Sequence, residues 1–426
     1  MSFIKLEFPE YNISISTQKT QDINLYLCQI SIFTQYTELY ENADIEICLP
    51  VQDLILRSKI LSILKNKTEV LIWQYSDLDF TQNKKLLLNG LIMNKRIYDT
   101  KVNIMIYGKA WLLQQTQLPA RYKIVSTTYG ALIKEVLKLC QLDTIFTKII
   151  YPTQANNAKI NLRLKELASE EGGLLTGYNQ SIYDFLSICF NNAQIYLTTV
   201  YIDNELYLYH IDTAQIVQEK LSLENNDKML EIFLSPKSTN SNIISYNFDS
   251  DFTSIYDQIT VATKGSIAED RPAITTTIQR KNIQQSDLMK KLAQSALPPM
   301  LYTTRCKNDL GKAELQSYAK YLLKKQIHSS LIVEIEFVGH YPRLTNPKNH
   351  WCIAMPVKIP KTDQNNNVNM LYNDLIADYE LSSVDFVVAG YDMIFNNDQR
   401  STIVSIVPSE FMEYDKTLKL MKPKVI

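Results

Sequence analysis

The chain has 426 residues, 46% of them hydrophobic, and a formal net charge of −1. At roughly 100–200 residues per domain, that length is enough for about two to four domains with buried cores. Near-neutral charge argues against a chain whose main task is to coat nucleic acid, which needs a strong basic field, though it leaves room for a local basic patch. Ten glycines in the whole chain leave little for phosphate-cradling loops.

Residues 1–50 alternate apolar and polar in short runs, as in Asn12-Ile13-Ser14-Ile15-Ser16 and Cys28-Gln29-Ile30-Ser31-Ile32, and predict strands with one wet face. Over 51–66 the period changes to 3.6. Val51, Leu54, Ile55, Ser58, Leu61 and Ser62 fall on one stripe and predict an amphipathic helix. Three strands follow, at Val70–Trp73, Leu86–Met93 and Val102–Gly108. Asn89-Gly90 has the form of a hairpin turn, but a turn there leaves only stubs. Gly90 is therefore placed inside a long strand, with the turn at Asp99-Thr100.

Residues 121–215 read as a smaller α+β unit. Ser126-Thr127-Thr128 caps a helix whose inner stripe is Leu132, Ile133, Val136, Leu137 and Cys140. Ser181-Ile182-Tyr183-Asp184 has the form of a capping box, with Phe185, Leu186 and Cys189 inward. A hairpin follows, from Ile195-Tyr196-Leu197 through a turn at Asp203-Asn204 to Leu206–Tyr209. Residues 236–410 return to strands: Ile255–Val261, Leu331–Gly339, Trp351–Ala354, Asp385–Gly390 and Ser401–Val407. A helix over 309–328 turns Leu315, Tyr318, Ala319, Leu322 and Leu323 to one face. Gln364–Asn367 is a polar loop, and a Lys-rich extended tail closes the chain. Residues 1–115 and 236–410 share an order of elements: strands, one amphipathic helix, a strand, then a long pair of strands.

Few residue groups point to chemistry. Asp249-Ser250-Asp251 lacks the flanking pattern of a calcium loop and reads as a solvated turn before a strand. The glycine cluster Glu170–Gly177 is followed by Tyr178-Asn179, not by Lys-Ser/Thr, and reads as a flexible connection. His210, His328, His340 and His350 form no zinc spacing, and nothing selects a nucleophile for His340 or His350 beside Arg343 and Lys348. None of Cys28, Cys48, Cys140, Cys189, Cys306 and Cys352 forms a C-x-x-C pair. A reducing compartment fits folding, and Cys140 and Cys189 read as small buried hydrophobes. Lys416, Lys419, Lys422 and Lys424 read as a solubilising tail, with contact to nucleic acid or an acidic partner as the alternative. Met1–Glu7 carries no signal pattern, and no apolar run approaches the ~18 residues of a membrane span. The expectation is synthesis in the cytoplasm without Sec export. No catalytic, cofactor-binding or metal residue is assigned.

The ordered series of local phrases resembles the baseplate hub of contractile phage tails, the late control protein D family. The same fold forms the N-terminal part of type VI secretion spike proteins. The phrases are Leu88-Asn89-Gly90-Leu91-Ile92 with Val102–Leu113, Ser181–Leu186 with its hairpin, Ile255–Gly265, and the 309–328 helix leading into Val333–Gly339. The resemblance spans about 1–410. It implies a β-rich α+β fold with two tube-like β-barrel domains at 1–120 and 236–410, each with an amphipathic helix. An α+β domain at 121–235 lies between them, and 411–426 is a tail. It also implies a non-enzymatic homotrimer without cofactors that joins a tail tube to a separate spike protein and touches baseplate wedge proteins. Nucleic acid would be met only in the ring lumen. The chain would be carried in a virion tail, a tailocin or a related injection particle. The alternatives are the base of a type VI spike and a cell-wall hydrolase with β-rich accessory domains.

Overall fold

The computed structural model describes residues 3–16, 27–35, 39–75, 84–126, 128–150, 174–191, 196–202, 204–211, 230–235, 243–250, 255–263, 273–282, 299–305, 311–328, 331–339, 356–363, 365–376, 383–396 and 400–408. The first part of the chain gives β1 (Phe3–Phe8), β2 (Ile13–Ser16), β3 (Leu27–Gln35), β4 (Asn42–Cys48), α1 (Leu54–Ile63), β5 (Glu69–Tyr75), β6 (Lys85–Ile97), β7 (Lys101–Gly108) and α2 (Trp111–Gln115). The middle gives β8 (Lys123–Ile124), α3 (Tyr129–Leu139), β9 (Lys148–Ile150), β10 (Leu174–Leu175), α4 (Ile182–Asn191), β11 (Tyr196–Ile202) and β12 (Glu205–Ile211). The last part gives β13 (Leu230–Glu231), β14 (Ile243–Ser250), β15 (Gln258–Ala262), β16 (Thr275–Gln279), β17 (Leu301–Arg305), α5 (Lys312–His328), β18 (Leu331–Val338), β19 (Pro356–Pro360), α6 (Met370–Ile376), β20 (Ser383–Asn396) and β21 (Arg400–Pro408). The chain is β-rich α+β.

One 13-stranded sheet joins the first and last parts, with the path β14-β18-β21-β20-β3-β4-β7-β6-β5-β1-β2. It curls as a half-barrel. β20 carries the junction. Its N-terminal end pairs with β19 and its C-terminal end with β3, Gly390 opposite Gln35 through Asn396 opposite Gln29. Ser31 Oγ donates to Asp392 Oδ1 across this seam at 2.6 Å. The strand order is duplicated. β3 to β7 lie as 3-4-7-6-5, and the strands β14, β18, β19, β20 and β21 repeat that order as 14-18-21-20-19. One hydrophobic core runs beneath both halves, from Leu6 and Ile45 to Ile335 and Val404.

Two other bodies of secondary structure pack beside this sheet. In the middle, α3 and α4 cover the sheet β11-β12-β9, with Leu132, Ile133, Val136, Leu137, Phe185 and Leu186 buried between them. Thr128 Oγ1 accepts from the Ala131 N–H at 3.3 Å, and Ser181 Oγ accepts from the Asp184 N–H at 3.0 Å while donating to Asp184 Oδ2 at 2.7 Å. Both caps stand where the sequence put them. Ser181→Ala is expected to lower stability by about 1 kcal/mol, read as an earlier urea midpoint with unchanged slope. In the last part, α5 packs Leu315, Ala319 and Leu323 on Ile259 and Val261 of the sheet β16-β15-β17. Arg280 ties the two: Nε donates to the Tyr256 carbonyl at 2.8 Å and Nη1 to the Leu323 carbonyl at 3.4 Å. Burial pulls its guanidinium down to about 10, against the attraction of Asp257.

The structure corrects four expectations. The α1 stripe is rotated: Val51, Leu54 and Ile55 are exposed and, of the expected apolar residues, Leu61 alone packs on the core, while Ile60 and Ile63 are buried with Leu64. The sequence Leu-Ile-Leu-Arg-Ser-Lys-Ile-Leu-Ser-Ile is apolar on more than one side, so period alone could not choose the inner face. The helix at 309–328 exists as α5, but it is no counterpart of α1, because it covers the separate small sheet to which Ile255–Val261 also contributes. Asp249-Ser250 lies within the end of β14, opposite Ile332 and Leu331, and is not a turn before a strand. Cys28 and Cys48 are joined by a disulfide between neighbouring strands, Cα to Cα 6.4 Å, where a bulge in the β3–β4 ladder brings them together. Adjacency across a sheet is invisible to a search for short cysteine spacings, so the reducing-compartment reading missed this pair. The long-strand reading of 86–93 holds, the strand running further on to Ile97: Gly90 is inside β6, and Tyr98 N–H donates to the Lys101 carbonyl at 2.8 Å to close the turn.

Candidate assembly surfaces

Among the described residues, those singled out for chemistry do not converge. Among the described residues, no group of three or more His, Cys, Asp or Glu could hold a metal ion. Residues 170–173, Asp251, His340, Arg343, Lys348, His350, Cys306, Cys352 and the lysines of the tail lie outside the described residues, as does the expected strand at 351–354. His210 and Cys189 fall in β12 and α4, and His328 ends α5. Leu174 and Leu175, from the glycine cluster, pair as β10 with β8. Cys140 stands half-buried at the end of α3, and burial pushes its thiol pKa up.

What the fold builds instead are joints and edges. At one joint the β11–β12 hairpin crosses the first part of the big sheet. Tyr201 Oη accepts from the Asn89 N–H at 2.9 Å and donates to the Asn89 carbonyl at 3.3 Å. Asn204, in the left-handed turn of the hairpin, accepts from the Leu86 N–H at 2.8 Å. Trp73, Tyr75 and Leu86 form an apolar seat against Tyr201, and Lys84 Nζ lies 3.8 Å from the Trp73 ring centre. Glu41, just before β4, is buried in this joint and accepts from Thr199 Oγ1 at 2.9 Å. Burial raises its carboxyl to about 7, against the lowering effect of its hydrogen bonds. Tyr201 beside it is held well above the usual phenol range, first by burial and then by Glu41. No sequence pattern marked Glu41, since its partner Thr199 is far along the chain.

The edges are of a different kind. Among the described residues, no strand pairs with the second edge of β14, nor with β6 beyond Ile92 on the side where β5 ends. Exposed apolar side chains mark both: Ile97 on β6 is 50% exposed, and on β14 Ile244 is 52% and Phe248 38%. Near the β6–β7 turn the exposed start of α1, with Ile55 85% exposed, is fastened by Arg57. Its guanidinium donates to the carbonyls of Asp99 at 2.6 Å and Tyr98 at 3.2 Å. Unpaired strand edges invite another strand, and apolar surface beside them reinforces the invitation.

No protein-family model matches the chain, and no curated protein matches it in sequence. Solved structures do. A tail protein from Neisseria meningitidis MC58 superposes with a TM-score of 0.63 over 97% of this chain and 98% of that one, at 11% identity. The chain has the tail-protein fold. The 43 kDa tail protein of prophage MuSo2 from Shewanella oneidensis shares it, with a TM-score of 0.59, 10% identity, and coverage of 96% and 99%. So does the Francisella PdpA–VgrG complex in its lidded form, with a TM-score of 0.57 and 11% identity over 96% of this chain and 53% of that chain. The likeness to baseplate hubs read from the sequence therefore stands at the level of fold. Gly90 and the β6–β7 hairpin, one of the four phrases behind that reading, lie inside the large sheet.

Proposed function

We propose that the chain is a structural, non-enzymatic hub subunit that joins a tail tube to a separate spike in a contractile phage tail, a tailocin or a related injection system. The observation that carries the reading is the duplicated strand order within one continuous sheet, in a chain that matches tail proteins along nearly its whole length. Three copies, each supplying two similar sheet units from 1–120 and 236–410, give six units around a ring, which matches a six-fold tube. The middle domain at 121–235, fixed to the sheet through Tyr201 and Thr199, then stands beside the ring to meet wedge or spike proteins. A second reading, the base of a type VI spike, draws on the likeness to the PdpA–VgrG complex. It differs in whether the spike is part of the same chain or a separate one.

Light scattering on the purified protein, alone and mixed with candidate tube and spike proteins, tests the proposal. The expected result is a homotrimer of about 148 kDa, three times the 49.2 kDa chain, formed alone or when the spike is added. A chain that stays at 49.2 kDa and binds neither partner would sink the hub reading.

A further inference from the structure

We infer that the joint between the middle domain and the large sheet is a proton-controlled latch: the turn end of the β11–β12 hairpin stays seated on β5 and β6 while the Glu41 carboxyl carries a proton, and lifts from them when that carboxyl ionises. The inference concerns a motion within one chain and stands apart from the hub reading. Three observations carry it.

The first is where the acid lies. Glu41 is 3% exposed and sits between segments far apart in sequence, with the Gly108 backbone of β7 on one side and β11 on the other. Its carboxyl fills the space that a side chain at position 108 would need: a Cβ on Gly108 would lie 2.8 Å from Glu41 Oε2. A carboxylate shut into such a place has lost its hydration, and it recovers that hydration by pairing with a cation or by opening the joint.

The second is what faces it. β11 brings the Thr199 hydroxyl and the Tyr201 phenol, and Tyr391 of β20 lies near enough to act on Tyr201. β7 brings the Gly108 backbone, and the next residue, Lys109, gives its ammonium to Glu69 of β5 at 2.5 Å. Among the described residues, hydroxyls face the carboxyl and no cation pairs with it. Burial holds its proton to about 7. Tyr201 is held well above the usual phenol range, first by burial and then by Glu41, so the acid and not the phenol changes charge near neutral pH.

The third is how the hairpin is fastened. Among the described residues it reaches β6 through side chains and not through a strand ladder. Tyr201 bonds the Asn89 N–H, and Asn204 bonds the Leu86 N–H and, at 3.4 Å, the Lys84 carbonyl. The apolar seat of Trp73, Tyr75 and Leu86 lies beneath. Such a contact parts without breaking the large sheet, so local opening costs less than unfolding. Opening returns the carboxyl to its ordinary value of 4.5, against about 7 when closed. Between pH 5 and pH 8 the closing equilibrium therefore falls by about 70-fold.

Hydrogen exchange resolved to single amides, on the full chain at pH 5 and pH 8 and corrected for the intrinsic pH dependence of exchange, reads the latch directly. Leu86 and Asn89 give their N–H groups to the hairpin, whereas Ile92 on the same strand gives its own to the Thr68 carbonyl. The expected result is protection at Leu86 and Asn89 that falls by up to about 70-fold from pH 5 to pH 8, with a smaller fall at Ile92. Glu41→Gln should keep at pH 8 the protection it has at pH 5. Thr199→Val, which removes a hydrogen bond that favours the ionised form, should deepen the fall. Protection at Leu86 and Asn89 that ignores pH in the wild type overturns the latch, and so does the same fall in Glu41→Gln. A fall of equal size at Ile92 also overturns it, because Glu41 would then weigh on the whole fold and not on the joint. None of these outcomes bears on the ring mass by which the hub reading is tested.

Discussion

Glu41→Gln is expected to stabilise the protein above pH 7 and to flatten its pH dependence between about 4.5 and about 7. In the unfolded chain the Glu41 carboxyl ionises at its ordinary value of 4.5; in the folded chain burial holds the proton to about 7. Between those values the folded state binds more protons than the unfolded one, so unfolding free energy falls as pH rises. The favourable contribution is complete below pH 4.5 and is lost once the pH has risen through about 7. The interval corresponds to about 3 kcal/mol. Among the described residues, the groups around the carboxyl offer an ionised form no cation: Thr199 and Tyr201 on β11, and the Gly108 backbone on β7, whose N–H bonds the Glu41 carbonyl. Glutamine keeps an oxygen for the Thr199 hydroxyl and has no charge to desolvate. Urea unfolding at pH 5 and pH 8 should show the wild type weaker at the higher pH and the variant level between the two. An unchanged slope in the variant would place the pH dependence elsewhere. Hydrogen exchange at Asn89, whose N–H is bonded by Tyr201, should follow the same pattern if the hairpin joint is what loosens.

Local chemistry was legible in the sequence where one short segment decides the outcome. The caps at Thr128 and Ser181 were found because a hydroxyl oxygen meets an N–H only three residues on. The inner stripe of α3 was found because Leu132, Ile133, Val136 and Leu137 have no apolar rival on the opposite face. α1 failed on that same point, since Leu54 and Ile55 compete with Ile60 and Ile63, and the sheet decides between them. Pairings between distant segments were not legible. Nothing in Cys28–Gln35 names Gly390–Asn396 as its neighbour, yet that seam turns two runs of strands into one sheet. The joint at Glu41 was missed for the same reason: the sequence shows an ordinary glutamate between two strands, and only the β11 hairpin laid over it makes it a buried acid. The fold class and the order of strands follow from alternation and turn chemistry, while surfaces for assembly arise from long-range pairing, where a single sequence carries little signal.

Gly90→Ala is expected to cost roughly 3 kcal/mol, and Gly90→Val to prevent folding at ambient temperature. Gly90 sits inside β6, opposite Val70 on one side and Gly108 on the other. A methyl group there would press on the Tyr107 carbonyl oxygen, and would lie 2.7 Å from Ile106 Cγ2 and 2.8 Å from Leu88 Cδ2. Ile106 and Leu88 are fully buried core residues and cannot swing clear, and the carbonyl belongs to the backbone of β7, so relief requires the two strands to part. The consequences reach further than one ladder. The Asn89 carbonyl accepts from the Lys109 N–H and from Tyr201, so the same short stretch of β6 fastens the end of β7 and the hairpin of the middle domain. Urea unfolding of Gly90→Ala should show the lower midpoint, and light scattering below the transition should show ring formation weakened with it. An alanine variant as stable as the wild type would mean that β6 and β7 yield more easily than this close approach implies. A glycine within a strand would then be a tolerated small residue, and the feature that marked β6 in the sequence would lose its structural reason.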